Sequence, residues 1–337
     1  MNTSAVALSA YDIVVAQVEA AVGSSLHDLA DELRASVPHV ADYLNPADLM
    51  LAAGALLQNR AAIKSSFLAK GFGERLVQDW DTIKIGVKRT IAFLEQERVF
   101  DGKRLPTDVV LAPLAALWGI APKGLDAEGE ARMLLRKYLW RAFFTDRYER
   151  TSATRALTDF RELKGVLLEQ STATPTIFRE DEHPLPVAEQ YLGAGWPVRP
   201  DRLPRALLAL SLRVGGLDLA DGSAATRENL AEREYHHLFP AARLRELELS
   251  DTNINRALNC ALVTWRTNRN IAAKTPEKYL AERTEGTSLG QEEVRRRLET
   301  HLVPFDELAT ASYDDFLNAR AAKMHAVMVK LCAGQSL

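Results

Sequence analysis

A chain of 337 residues with 47% hydrophobic and 26% charged residues holds enough apolar material for two packed domains, which excludes a disordered or fibrous protein. The net charge of −3 excludes a generally basic, nucleic-acid-coating chain, so contact with DNA needs a local basic face. Cys260 and Cys332 alone leave no disulfide framework and no cysteine zinc site and point to a reducing, cytoplasmic setting, and neither a membrane-length apolar run nor a secretory leader is visible.

Residues 1–170 read as a helical domain. Ser9 caps a helix with Tyr11, Val14, Val15, Val18 and Val22 on one face, stopped at Gly23. Asn45-Pro46 starts a helix that repeats Leu49, Ala52, Ala53 and Leu56. A long helix carries Trp80, Ile83, Val87, Ile91 and Leu94, and Thr107 opens another through Trp118. The run 133–144 is apolar nearly all round and belongs to a core. Thr151 or Ser152 starts a helix bearing Leu157, Phe160, Leu163 and Leu167. Residues 171–225 form a Pro-rich connection, with Pro175, Pro184, Pro186, Pro197, Pro200 and Pro204, and one short apolar helix, 207–212. His183, within it, reads as incidental.

Residues 226–285 carry the chemistry. Tyr235, Leu238 and Phe239 suit a strand that Pro240 ends, and His236-His237 sits inside it. The stretch 260–265 is a second short apolar run, and Thr275 caps a helix opening at Pro276. A neutral imidazole takes a proton from water near pH 7, and one His nitrogen with one Asn oxygen makes an open cation site. Taken singly, these residues are structural: strand alternation sends adjacent histidines to opposite faces, and Asn253, Asn255 and Asn268 serve as loops and caps. Residues 286–337 read as two C-terminal helices, 292–302 and 313–331, packing on the body.

The order His236-His237-Leu238-Phe239-Pro240, then Asn259, Leu262 and Asn268, resembles the HNH, or His-Me finger, nucleases, a β-hairpin and helix gripping one metal. It looks most like the C-terminal nuclease of GmrSD-type, modification-dependent restriction enzymes. The run 138–148 is similar to that family's Trp-x-Trp-Arg-x-x-x-x-x-x-Arg-Tyr signature, and 2–13 to the segment that follows its nucleotide-handling domain. The domain's Asp-Gly-Gln-Gln-Arg motif is missing, and Ala273 stands where many relatives have asparagine.

The resemblance implies a mainly α fold with a small ββα-metal unit and a metal-dependent DNA endonuclease of a phage-defence system. It makes His237 the general base and Asn259 the residue that supports the loop or positions that base. His236 and Asn268 become ligands of one divalent ion, Mg²⁺ foremost with Mn²⁺ or Ni²⁺ as substitutes. Arg266, Arg269, Lys274 and Lys278 would form the DNA-binding face, the rival reading being a solvated helix face. Expected partners are DNA, modified or not, and a protein supplying the nucleotide-handling domain. The alternatives are a catalytically silent DNA-binding or partner subunit, and an RNase with the same site.

Overall fold

The computed structural model describes residues 25–271, 274–284 and 289–337, together with 14–16 and 19, as a mainly helical protein with one small antiparallel sheet. The helix expected from Ser9 to Gly23 lies largely outside the described residues. The chain forms two compact units, one of Met1–Glu95 and Thr107–Pro184, the other of Gln96–Pro106 and Leu185–Leu337.

The main helices of the first unit are α1 (Leu26–Ser36), α2 (Pro46–Leu57), α3 (Trp80–Gln96), α4 (Leu111–Ile120), α5 (Leu125–Phe144) and α6 (Ser152–Leu167). The α2 start follows its sequence signal: Asn45 Oδ1 accepts from the Ala47 amide at 2.9 Å, and Pro46 occupies a first position where no amide hydrogen is lost. α4 packs against both α2 and α6. It also meets α3 backbone to backbone, since a Cβ on Gly86 would stand 1.9 Å from the Ala115 carbonyl oxygen. Glycine is therefore required at that crossing.

Around the end of α5 the polar groups are internal. Arg141 donates to the carbonyls of Ile177 and His183 and pairs with Glu180 at 2.6 Å. Arg147 pairs with the fully buried Asp159 at 2.7 Å and donates to His183 Nε2, while His183 Nδ1 donates to Asp146. His183 is thus a buried bridge that straps the proline-rich stretch to the helices, not an incidental residue. Arg136, Arg141 and Arg147 are buried, so their charges are taken up inside this packed helix end.

The second unit holds α7 (Arg202–Val214), β1 (Arg233–His237), β2 (Cys260–Thr264), α8 (Trp265–Ile271), α9 (Pro276–Thr284), α10 (Gln291–Glu299), α11 (Phe305–Thr310) and α12 (Tyr313–Cys332). β1 and β2 run antiparallel, with Tyr235 opposite Leu262 and His237 opposite Cys260. Tyr235 and Leu262 pack with Phe100, Leu208, Leu212, Ala225 and Leu230. Beneath β2, the wholly buried Arg320 of α12 donates to the carbonyls of Leu258, Cys260 and His301.

Both strands are shorter than the apolar runs suggest. β1 stops at His237, because the chain turns out at Phe239 to meet the Asn259 side chain and Pro240 has no amide hydrogen to continue a ladder. Trp265 opens α8 rather than closing β2. The cause is buried Asp218, whose carboxylate accepts from the Thr264 amide at 2.7 Å and the Thr267 hydroxyl at 2.5 Å. Burial pushes that carboxyl up, but these bonds and those from the Ala220 and Asp221 amides outweigh it and hold it below the usual carboxylate range.

Two buried imidazoles make stability pH-dependent. Burial, opposed by the Leu217 carbonyl, holds His301 down at about 4. Burial likewise takes His236 to about 4. Each binds fewer protons folded than unfolded between about pH 4 and 6.5. Stability is therefore complete above that window and falls as pH drops through it, by on the order of 3 kcal/mol per group. Thermal unfolding from pH 7.5 to 4.5 should show a falling midpoint, with a shallower slope in His301→Gln, which keeps a donor for Leu217. Equal slopes in the two proteins would contradict this reading.

Candidate active site

Alternation along β1 puts Glu234 and His236 on the face met by α8, and Tyr235 and His237 on the other. On the first face His236 Nδ1 lies 2.7 Å from Asn268 Oδ1, and Asn268 Nδ2 donates to Glu234 Oε2 at 2.6 Å. A carboxylate only accepts, so Glu234 fixes which way the Asn268 amide faces and turns its oxygen to His236. The imidazole proton then sits on Nδ1. Nε2, buried and without a hydrogen-bond partner among the described residues, carries the lone pair. His236 is 3% exposed, and its depressed pKa keeps it neutral at pH 7.

On the second face His237 Nε2 lies 2.9 Å from Asn255 Oδ1, and the Trp196 indole stacks on the ring at 4.1 Å and 19°. With Asn255 accepting, the proton sits on Nε2 and the lone pair on Nδ1. Burial lowers the His237 pKa, the Asn255 bond works against that, and the Arg245 charge adds to the lowering. The net effect is a neutral imidazole at pH 7, ready to accept a proton.

Asn259 is completely buried and grips the loop that follows His237. Its Oδ1 accepts from the Phe239 amide at 2.8 Å, and its Nδ2 donates to the carbonyls of Phe239 and Ile254 at 3.1 and 3.2 Å. Of the two roles expected for it, loop support is the one its contacts serve. The partner of the His237 ring is Asn255, which the sequence offered only as a loop former. Trp196 was missed as well. It stands about forty residues upstream in a Gly/Pro-rich stretch, where neither periodicity nor a motif marks it.

A cation would find only a sparse donor set here. The 2.7 Å between His236 Nδ1 and Asn268 Oδ1 is the separation of two adjacent ligands of one ion with bonds of roughly 2.1 Å. An ion on Nδ1 would require the imidazole proton on Nε2, leaving the ring neutral. Among the described residues no three His, Cys, Asp or Glu side chains converge. An ion held here rests on one nitrogen and one amide oxygen and fills its shell with water or substrate oxygens, as Mg²⁺ does.

The expected basic residues divide. Arg266 and Arg269 are exposed on α8, with guanidiniums 5.8 and 5.4 Å from the ring of Trp265, itself 47% exposed. Lys278 is exposed on α9. Lys274 pairs with Glu282 at 2.6 Å, which offsets its charge.

The Asn255 bond gives a direct test. In an NMR titration the His237 ring should protonate below the ordinary value of about 6.5. Asn255→Asp, which sets a carboxylate against Nε2, should raise that pKa by roughly one unit or more. An unchanged titration in the variant would break the assigned contact. In comparisons with known proteins, this chain matches no family model and no curated sequence.

Proposed function

We propose that the protein is a metal-dependent DNA endonuclease, with the β1–β2–α8 unit as its catalytic centre. One observation carries this reading. Within a short hairpin and its following helix, a neutral imidazole held by an amide and a second imidazole paired with an amide oxygen leave the same strand end, and a buried asparagine ties down the intervening loop. Its likeness to HNH-type nucleases of phage-defence restriction systems adds the substrate class.

The residues' roles follow from their protonation states. His237, with its proton held on Nε2 by Asn255, takes a proton from the attacking water at Nδ1. Trp196 covers one ring face and limits its rotation. His236 and Asn268 would hold the divalent ion, with Glu234 fixing the asparagine amide. When bound, such an ion stabilises the charge on the phosphorane and on the leaving oxygen. The phosphodiester lies across the C-terminal end of β1, where groups from both faces reach it. Arg266 and Arg269 contribute phosphate contacts, and the Trp265 ring between them adds apolar surface.

Plasmid cleavage with Mg²⁺ or Mn²⁺ and with EDTA tests the proposal. The wild type should cut in a metal-dependent way. His237→Ala should lower the rate by roughly 10²- to 10⁴-fold while metal binding persists. Glu234→Ala should weaken Mn²⁺ binding about 10- to 100-fold. Cleavage that survives His237→Ala, or that proceeds unchanged in EDTA, would refute it.

A further inference from the structure

Beside His237 lies a cleft of about 430 Å³ that the catalytic roles above leave unused. Trp196 and Asn255, which both touch the His237 ring, also line this cleft, so whatever occupies it lies next to the proposed base. Arg199 and Arg256 line it too. The Arg199 side chain is exposed and has no partner among the described residues, and Arg256 bonds only the neutral amide oxygen of Asn253. Of the two lining carboxylates, Asp251 is paired with Arg245 at 3.1 Å, which leaves Asp201 as an acceptor. With Asp251 taken up by Arg245, which lies outside the lining, the two lining arginines face one unpaired aspartate.

We propose that this cleft seats one unstacked nucleotide adjoining the cleaved bond, with its phosphate on Arg199 and Arg256 and its base against Trp196. The inference rests on the nuclease reading and names the form of its substrate. Guanidiniums match phosphate oxygens in pairs, a flat indole accepts any base face, and an aspartate takes a hydrogen bond from an exocyclic amine. The volume falls within the roughly 300–1,000 Å³ of small-ligand sites, which suits a nucleotide and is too confined for a stacked duplex. The nucleotide therefore comes from a single strand, a frayed end or a base turned out of the helix.

The test separates binding from cleavage. Fluorescence anisotropy of the full chain in EDTA, at low salt, compares a labelled single-stranded (dT)₈ with a duplex of the same length. The single strand should bind more tightly. The double variant Arg199→Ala/Arg256→Ala should lose at least tenfold in affinity for it with an unchanged melting temperature. Equal binding by the wild type and the double variant, or no preference for the single strand, overturns the cleft assignment even if plasmid is cut. Intact arginine-dependent binding without any metal-dependent cleavage upholds the cleft and sinks the nuclease reading.

Discussion

The second unit depends on an arginine whose charge is entirely enclosed. Arg320 has no solvent exposure, and its hydrogen-bond partners among the described residues are carbonyl oxygens, those of Leu258, Cys260 and His301. Burial takes its pKa down to about 10, so it stays cationic at neutral pH. Enclosing a charge costs several kcal/mol unless its donors are satisfied; the terminal guanidinium nitrogens meet these carbonyls and so fix them, while Nε has no partner among the described residues. Two of these carbonyls flank Asn259. The clamp on the backbone sets the asparagine, the asparagine grips Phe239 and Ile254, and those two positions place His237 and Asn255.

A two-stranded sheet is marginal on its own, and here other elements hold its ends. Asp218 turns β2 into α8 through Thr264 and Thr267, and so delivers Asn268 to the face of His236. Arg233 donates to the carbonyls of Gly216, Leu262 and Ser223 and ties the start of β1 to the same loop. The two imidazoles are neutral by the same cause, burial, yet differ in what they present. His236 pairs Nδ1 with the Asn268 amide oxygen, whereas His237 pairs Nε2 with Asn255, a residue that lines a cleft. Alternation along the strand gives these adjacent histidines different surroundings, so on the proposed reading one serves as ligand and the other as base.

Much of this was legible in the sequence. Helices marked by a plain cap, such as α2 and α12, or by a clear apolar stripe, such as α3 and α6, occupy the stretches read for them. His236, His237, Asn259 and Asn268 stood out through their likeness to the HNH motif, which is local to one hairpin and helix; taken singly they read as structural. What escaped was set by contacts distant in sequence. Asp218 and Arg320 decide where β2 begins and ends, but they act from 46 and 60 residues away, through backbone groups that no side-chain pattern reveals. Trp196 and Asn255 were invisible for the same reason, since an isolated tryptophan or asparagine in a loop carries no period. Arg141, Arg147 and His183 show the reverse: charged residues that look available on paper are consumed by internal hydrogen bonds.

The central claim is that His236, and not its neighbour, is the imidazole of a cation site next to a separate base. Pulsed electron paramagnetic resonance on the Mn²⁺-loaded protein reads this directly, because a coordinated imidazole nitrogen modulates the manganese echo. The account predicts ¹⁴N modulation in the wild type and in His237→Ala, and its loss in His236→Ala. Modulation that survives His236→Ala, or that is missing from the wild type with Mn²⁺ bound, would contradict it.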